Sequence, residues 1–168
     1  MTDVELGAGE QGLCSPPTNY PWTAPVYAEV RRATETARNQ ICKPYVWGAS
    51  GPGSFDCSGL VYYAYRQAGF NVSRTTAQGL FDAQMYSSGG PWGSIVGYWE
   101  RRPGDLLYFS TGCNTTTITH VAIYLGVNRD NGKEEVVHAL NPSSGVVLSQ
   151  LGSFGLCLNT TYVGRVKY

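Results

Sequence analysis

Two histidines and five cysteines are the side chains in this chain best suited to nucleophilic catalysis. Cys57 lies in GSFDCSGLVYYAYRQAGF, residues 53–70. Gly, Ser and Asp lead there into a helical pattern of Leu60, Val61, Ala64 and Tyr65, so the thiol falls in the first turn of a predicted helix. His120 opens HVAIYLG, and His138 sits in VVHALNP on the next predicted strand. A thiol attacks only as thiolate, and helix N-terminal N–H groups or an adjacent imidazolium favour that anion. His120 could take the thiol proton and return it to a leaving amine, and His138 could hold the His120 ring by its other nitrogen. Cys57 could equally be a core thiol, half of a disulfide or a metal ligand. Each histidine could be a hydrogen-bonded structural residue. No Cys-x-x-Cys occurs, which argues against a zinc knuckle or a redox pair.

The elements that must carry these residues separate into helices first and strands second. Residues 1–24 read as an irregular arm, because CSPPTNYPWTAP has four prolines and no period. Residues 25–168 form one domain. Tyr27, Val30, Ala33, Ala37 and Ile41 recur at helical spacing over 26–41, with Arg31, Arg32, Glu35 and Arg38 on the wet face. The Cys57 helix ends at Gly69, and SRTTAQGLFDAQMY gives a third helix capped by Ser73 or Thr75. Short β-branched or aromatic runs at 105–110, 120–127, 135–140, 145–150 and 162–167 read as an antiparallel meander. Asn-Gly in NRDNGK marks a hairpin connection. The layout predicts an α+β fold, N-terminal helices packed on a C-terminal antiparallel sheet.

Bulk properties narrow the partners. Hydrophobic residues make up 42% of 168 and charged ones 14%, a globular balance. Twelve basic and twelve acidic side chains cancel, so nothing electrostatic points to nucleic acid. No apolar stretch is long enough for a transmembrane helix. MTDVELGAGEQG lacks the basic-then-apolar pattern of a signal peptide, which leaves export by another route, earlier removal of a leader, or a cytosolic location. With Cys57 set aside, Cys14, Cys42, Cys113 and Cys157 either stand as isolated thiols or form two disulfides, and four cysteines allow three pairings. An extracellular setting favours the disulfides.

Taken in order, PYVWGASGPGSFDCSGLVYYAYRQAGF, SRTTAQ, RRPGDLLYF, THVAIYLG and VVHAL resemble the NlpC-type family of papain-like cysteine peptidases. The resemblance covers about residues 40 to 150. It implies a papain-like fold and cleavage of peptidoglycan stem peptides at the γ-D-glutamyl bond to a diamino acid, diaminopimelate or lysine. An N-acetylmuramoyl-L-alanine amidase is the alternative on the same scaffold. Cys57 becomes the nucleophile, His120 the base and His138 the orienting group, with Tyr45 assisting the oxyanion. Asp56, Ser58, Arg74 and Thr76 become substrate-binding residues. Asp56 is otherwise a helix cap, Arg74 a solvated charge, and Asp105 a tie for the RPGD turn. No cofactor or metal is implied. The partners are peptidoglycan or muropeptides in a secreted or envelope location, with an immunity partner if the protein is a toxin delivered to a target periplasm. The chain departs from the family pattern in Gly48-Ala49, where Gly-Gly is usual. Its long 86–102 connection differs as well, and there Trp92, Tyr98 and Trp99 are candidates to line the cleft.

Overall fold

The structure, a computed structural model, describes residues 18–86, 92–113 and 117–167. Cys14 and most of the predicted arm lie outside these residues. The described end of the arm is irregular but packed. Trp22 is buried in the core, and Arg38 donates to the Asn19 carbonyl while stacking over the Tyr20 and Trp22 rings.

Helix α1, Ala28–Arg38, is shorter than the 26–41 expected, because Tyr27 is still extended and Cys42 has a positive φ of 84°. It buries Val30, Ala33 and Ala37. Helix α2, Cys57–Gln67, begins where expected and turns off at Gly69, whose φ of 97° suits glycine. Helix α3, Ala77–Tyr86, is capped by Thr76 instead of Ser73 or Thr75, its Oγ1 accepting the Gly79 N–H at 3.0 Å.

Among the described residues six strands form one antiparallel sheet: β1 Gly93–Gly97, β2 Leu106–Ser110, β3 His120–Val127, β4 Glu134–Ala139, β5 Val146–Gln150 and β6 Cys157–Val166. Their spatial order is β1-β6-β2-β3-β4-β5. Strands β2 to β5 are the expected meander. β6 then returns along the far side of β2, and β1, absent from the sequence reading, covers its edge.

The strands alternate between two apolar faces. Leu106, Tyr108, Val121, Ile123, Val137 and Ala139 pack with the helices, together with Leu60, Val61 and Tyr65 of α2. Leu107, Phe109, Ala122, Tyr124, Val136 and Val163 form the other cluster. Each such side chain taken from water contributes roughly 1.5–3 kcal/mol, so α2 is held firmly against the sheet. That fixes its N-terminus at the start of β3. Cys113 and Cys157 form a disulfide that ties the β2–β3 connection to the start of β6. This is one of the two disulfides considered from sequence; the other would involve Cys14.

Candidate active site

Asp56 builds the first turn that carries Cys57. Its side chain accepts the Gly59 N–H at 2.7 Å, the N-cap bond that starts α2. The other carboxylate oxygen accepts the Gly48 N–H at 2.8 Å, and the Asp56 N–H donates to the Ala49 carbonyl at 2.9 Å. The 46–50 loop is thereby clamped to the helix start. Gly48 carries the positive φ, 82°, and Ala49 does not, so alanine fits where the family pattern has a second glycine.

Arg74 joins the same carboxylate. Its Nη2 lies 3.0 Å from each Asp56 oxygen, while Nη1 donates to Ser58 Oγ at 3.0 Å and to the Thr75 carbonyl at 2.5 Å. Ser58 Oγ donates in turn to Asp56 at 3.2 Å. Asp56 is thus met by four donor groups, Gly48 N–H, Gly59 N–H, Ser58 Oγ and Arg74 Nη2, which match the roughly four lone-pair sites of a carboxylate. The sequence reading gave Asp56 to a substrate ammonium and Arg74 to a substrate carboxylate as separate tasks. The structure instead pairs them with each other, because two opposite charges at a half-buried cleft floor neutralise each other. Arg74 is left with its Nε–H as the donor not used within the described residues.

Cys57 is 8% exposed. Burial pushes its thiol above the ordinary value near 9, against the smaller opposing effect of the Val121 and Ser58 N–H groups and with Asp56 adding to the rise. The helix-start position therefore does not make a resting thiolate, since desolvation outweighs the amide dipoles. Tyr45 stands close enough for the Cys57 and Asp56 charges to raise its phenol further, after burial as the main cause.

The two histidines meet directly. His120 Nε2 and His138 Nδ1 are 2.8 Å apart, and His138 Nε2 lies 2.9 Å from Ser149 Oγ on β5. Phe154 packs edge-on against His138 with centroids 4.6 Å apart, and Phe109 flanks His120 at 5.7 Å. Burial lowers His120 to about 4; it also lowers His138 well below the ordinary imidazole value, with His120 adding to that shift. Both rings are neutral at pH 7. With Nε2 engaged by His138, His120 has Nδ1 left for a proton. The thiol rests beside the Val121 N–H, one residue further along β3. No hydrogen bond joins it to His120 among the described residues, a spacing common in resting sites that tighten on substrate.

A cleft of about 620 Å³ opens at the α2 start, with Asp56, Cys57, Ser58, Arg74 and Thr76 in its wall, while Tyr45, His120 and His138 lie outside that lining. Trp47, 80% exposed, and Gln78, Ile118 and Thr119 also line it, none of which the sequence reading assigned. Trp92, Tyr98 and Trp99 do not line it: Trp92 packs on Tyr65 in the core, Tyr98 joins the far-face cluster, and Trp99 stands in solvent beside Tyr98. Asp105 ties its turn as expected, accepting the Arg102 N–H at 2.7 Å and pairing with Arg165. Among the described residues, no three His, Cys, Asp or Glu side chains gather to hold a metal.

Comparison with known proteins agrees with this fold. The model of the NlpC/P60 family matches residues 42–162. A probable endopeptidase of Corynebacterium glutamicum is 37% identical over 121 residues, 72% of this chain and 48% of that protein. The murein DD-endopeptidase MepH of Escherichia coli is 40% identical over 114 residues, 63% of this chain and 36% of that one. A solved NLP/P60-family protein of Staphylococcus aureus, described as similar to lipoprotein, superposes with a TM-score of 0.62 at 30% identity, covering 90% of this chain and 45% of its own. The chain thus spans about half the length, or less, of the curated relatives it matches.

Proposed function

The chain belongs to the NlpC/P60 family, and we propose that it hydrolyses the γ-D-glutamyl amide to the diamino acid in peptidoglycan stem peptides, with Cys57 as nucleophile. The observation that carries this reading is the His120–His138 hydrogen bond, which leaves one imidazole nitrogen for a thiol at the α2 start. Sγ transfers its proton to His120 Nδ1 as it bonds to the scissile carbonyl carbon. The oxyanion is met by the Cys57 N–H with the Tyr45 phenol, and collapse expels the amine, which takes the proton from His120. Water then attacks the thioester, His120 accepts its proton, and the thiol is released. Because both partners rest neutral, the proton moves during attack and no ion pair precedes it.

A γ-linked glutamate leaves a free carboxylate beside the scissile bond. Arg74 Nε–H and the Thr76 side of the cleft are the groups that meet it. Asp56 and Ser58 hold Arg74 in place, in a charge-assisted arrangement worth about 1.5–3 kcal/mol of discrimination. The relative named a murein DD-endopeptidase favours a second reading, cleavage of the cross-link between stems.

Defined cross-linked and uncross-linked muropeptides, digested and analysed by mass spectrometry, separate these readings. Fragments beginning with the diamino acid support the γ-glutamyl bond. Uncross-linked stems with nothing removed support the cross-link. Whole stems freed from the sugar would establish the amidase. Cys57→Ala must abolish every product; if it does not, the thiol mechanism is wrong.

A further inference from the structure

The hydrogen-bonded line from the histidine pair does not end at His138. Its Nε2 reaches Ser149 Oγ at 2.9 Å, and His138 is only 1% exposed. Ser149 stands on edge strand β5 opposite Val136, which places it on the same sheet face as His138 one step along the ladder. A histidine as orienting group poses a problem that an asparagine does not. An amide oxygen can only accept, whereas either nitrogen of a neutral imidazole can donate or accept. If His138 Nδ1 carries the proton, it donates to His120 Nε2, and the His120 proton must then sit on Nδ1. That ring could not take a proton from the thiol.

Resting on the hydrolase reading above, we propose that Ser149 is a positioning residue that selects the productive tautomers of both histidines. Its hydroxyl oxygen accepts the His138 Nε2–H. Nδ1 of His138 is then bare and accepts the His120 Nε2–H, and Nδ1 of His120 is bare and faces the reaction as base. The half-exposed position of Ser149 leaves its own O–H able to turn to solvent. The need is greatest after proton transfer. His120 then carries protons on both nitrogens, and His138 Nδ1 must accept. A buried His138 N–H without an acceptor would oppose that state. Phe154 against the His138 ring leaves little room for water to substitute.

The chain has only two histidines, so the ¹⁵N spectrum of histidine-labelled protein reports these rings alone. In the wild type both should be Nε2–H tautomers. Ser149→Val and Ser149→Thr are the informative pair, since they differ by one hydroxyl and both suit a strand. Ser149→Thr should keep the wild-type tautomers and activity. Ser149→Val should shift both rings toward Nδ1–H and lower kcat about 10- to 100-fold, with KM within about twofold. Equal kcat and unchanged tautomers in both variants would overturn the proposal. If Cys57→Ala still cleaves muropeptides, the thiol mechanism fails, yet the tautomer comparison still decides the role of Ser149.

Discussion

At the residue scale Cys57 and His120 are buried, and the pH behaviour of the site follows from that. His120 protonates near 4 and the Cys57 thiol ionises above its ordinary value near 9, both through burial. The proposed base is lost only when His120 takes a proton, so kcat/KM should fall with acid near pH 4–5 and run flat through neutrality. Iodoacetamide needs a thiolate and no base, so alkylation of Cys57 should be slow at pH 7 and rise toward pH 9 and beyond. Fast alkylation at pH 6 would mean a preformed ion pair, and an acid limb near 6.5 would mean that His120 titrates as an ordinary imidazole and is not held neutral by burial. The orienting role of His138 has its own test. His138→Asn offers an amide oxygen to the His120 Nε2–H and should retain more activity than His138→Ala, provided the side chain reaches across the 2.8 Å bond seen here. Equal and complete loss in both variants would assign His138 to a different task.

At the element scale the fit between the α2 start and the 46–50 loop decides whether Cys57 is aimed correctly. A Cβ built on Gly59 would lie 2.0 Å from the Ala49 carbonyl oxygen, which is backbone and cannot swing aside. Glycine to alanine inside a helix ordinarily stabilises by nearly 1 kcal/mol. Here Gly59→Ala should destabilise by roughly 1–3 kcal/mol through overpacking, and should lower kcat because the thiol is two residues away. Thermal melts and kinetics check this, and a raised Tm would refute the close contact. Which elements were legible follows from what each one packs against. α2 and β2 to β5 carry strong local periodicity, so their positions were readable from sequence to within a residue. β1 was not, because GSIVG reads as a linker. Its Gly93 is required by the approach of Gln84 and the Arg165 carbonyl, a tertiary demand. β6 begins five residues before its expected start because it pairs with β2 and β1 in succession, across a register shift. The catalytic candidates were legible from residue type and order. Ser149 was not, since a serine in VVLSQ looks like any polar strand position until His138 is placed beside it. The Asp56–Arg74 pair was hidden for the same reason: 18 residues of chain separate two charges that the fold brings to 3.0 Å.

At the scale of the whole molecule, the buried histidine pair couples the site to stability. In the unfolded chain both rings protonate near 6.5, whereas folded His120 stays neutral down to about 4 and folded His138 is lowered as well. Between those values the unfolded state binds more protons, so stability falls as pH falls. The contribution is complete above about pH 6.5. His120 alone accounts for on the order of 3 kcal/mol, lost progressively on acidification to pH 4. Asp105 works in the opposite sense, since burial raises its carboxyl, but it titrates from a lower starting value of 3.8 and is held by Arg165. The net expectation is a melting temperature that is level from pH 8 to about 6.5 and declines steeply toward 4.5. The decline should belong to the rings and not to the surface. Replacing both by glutamine, His120→Gln with His138→Gln, removes the titrating groups while keeping polar side chains in the space beneath Phe154. That double variant should be less stable than the wild type at pH 7, and its Tm should vary much less between pH 6.5 and 4.5. Calorimetry across this range reads the difference, and parallel curves for the two proteins would show that the histidines are not the groups that set acid stability.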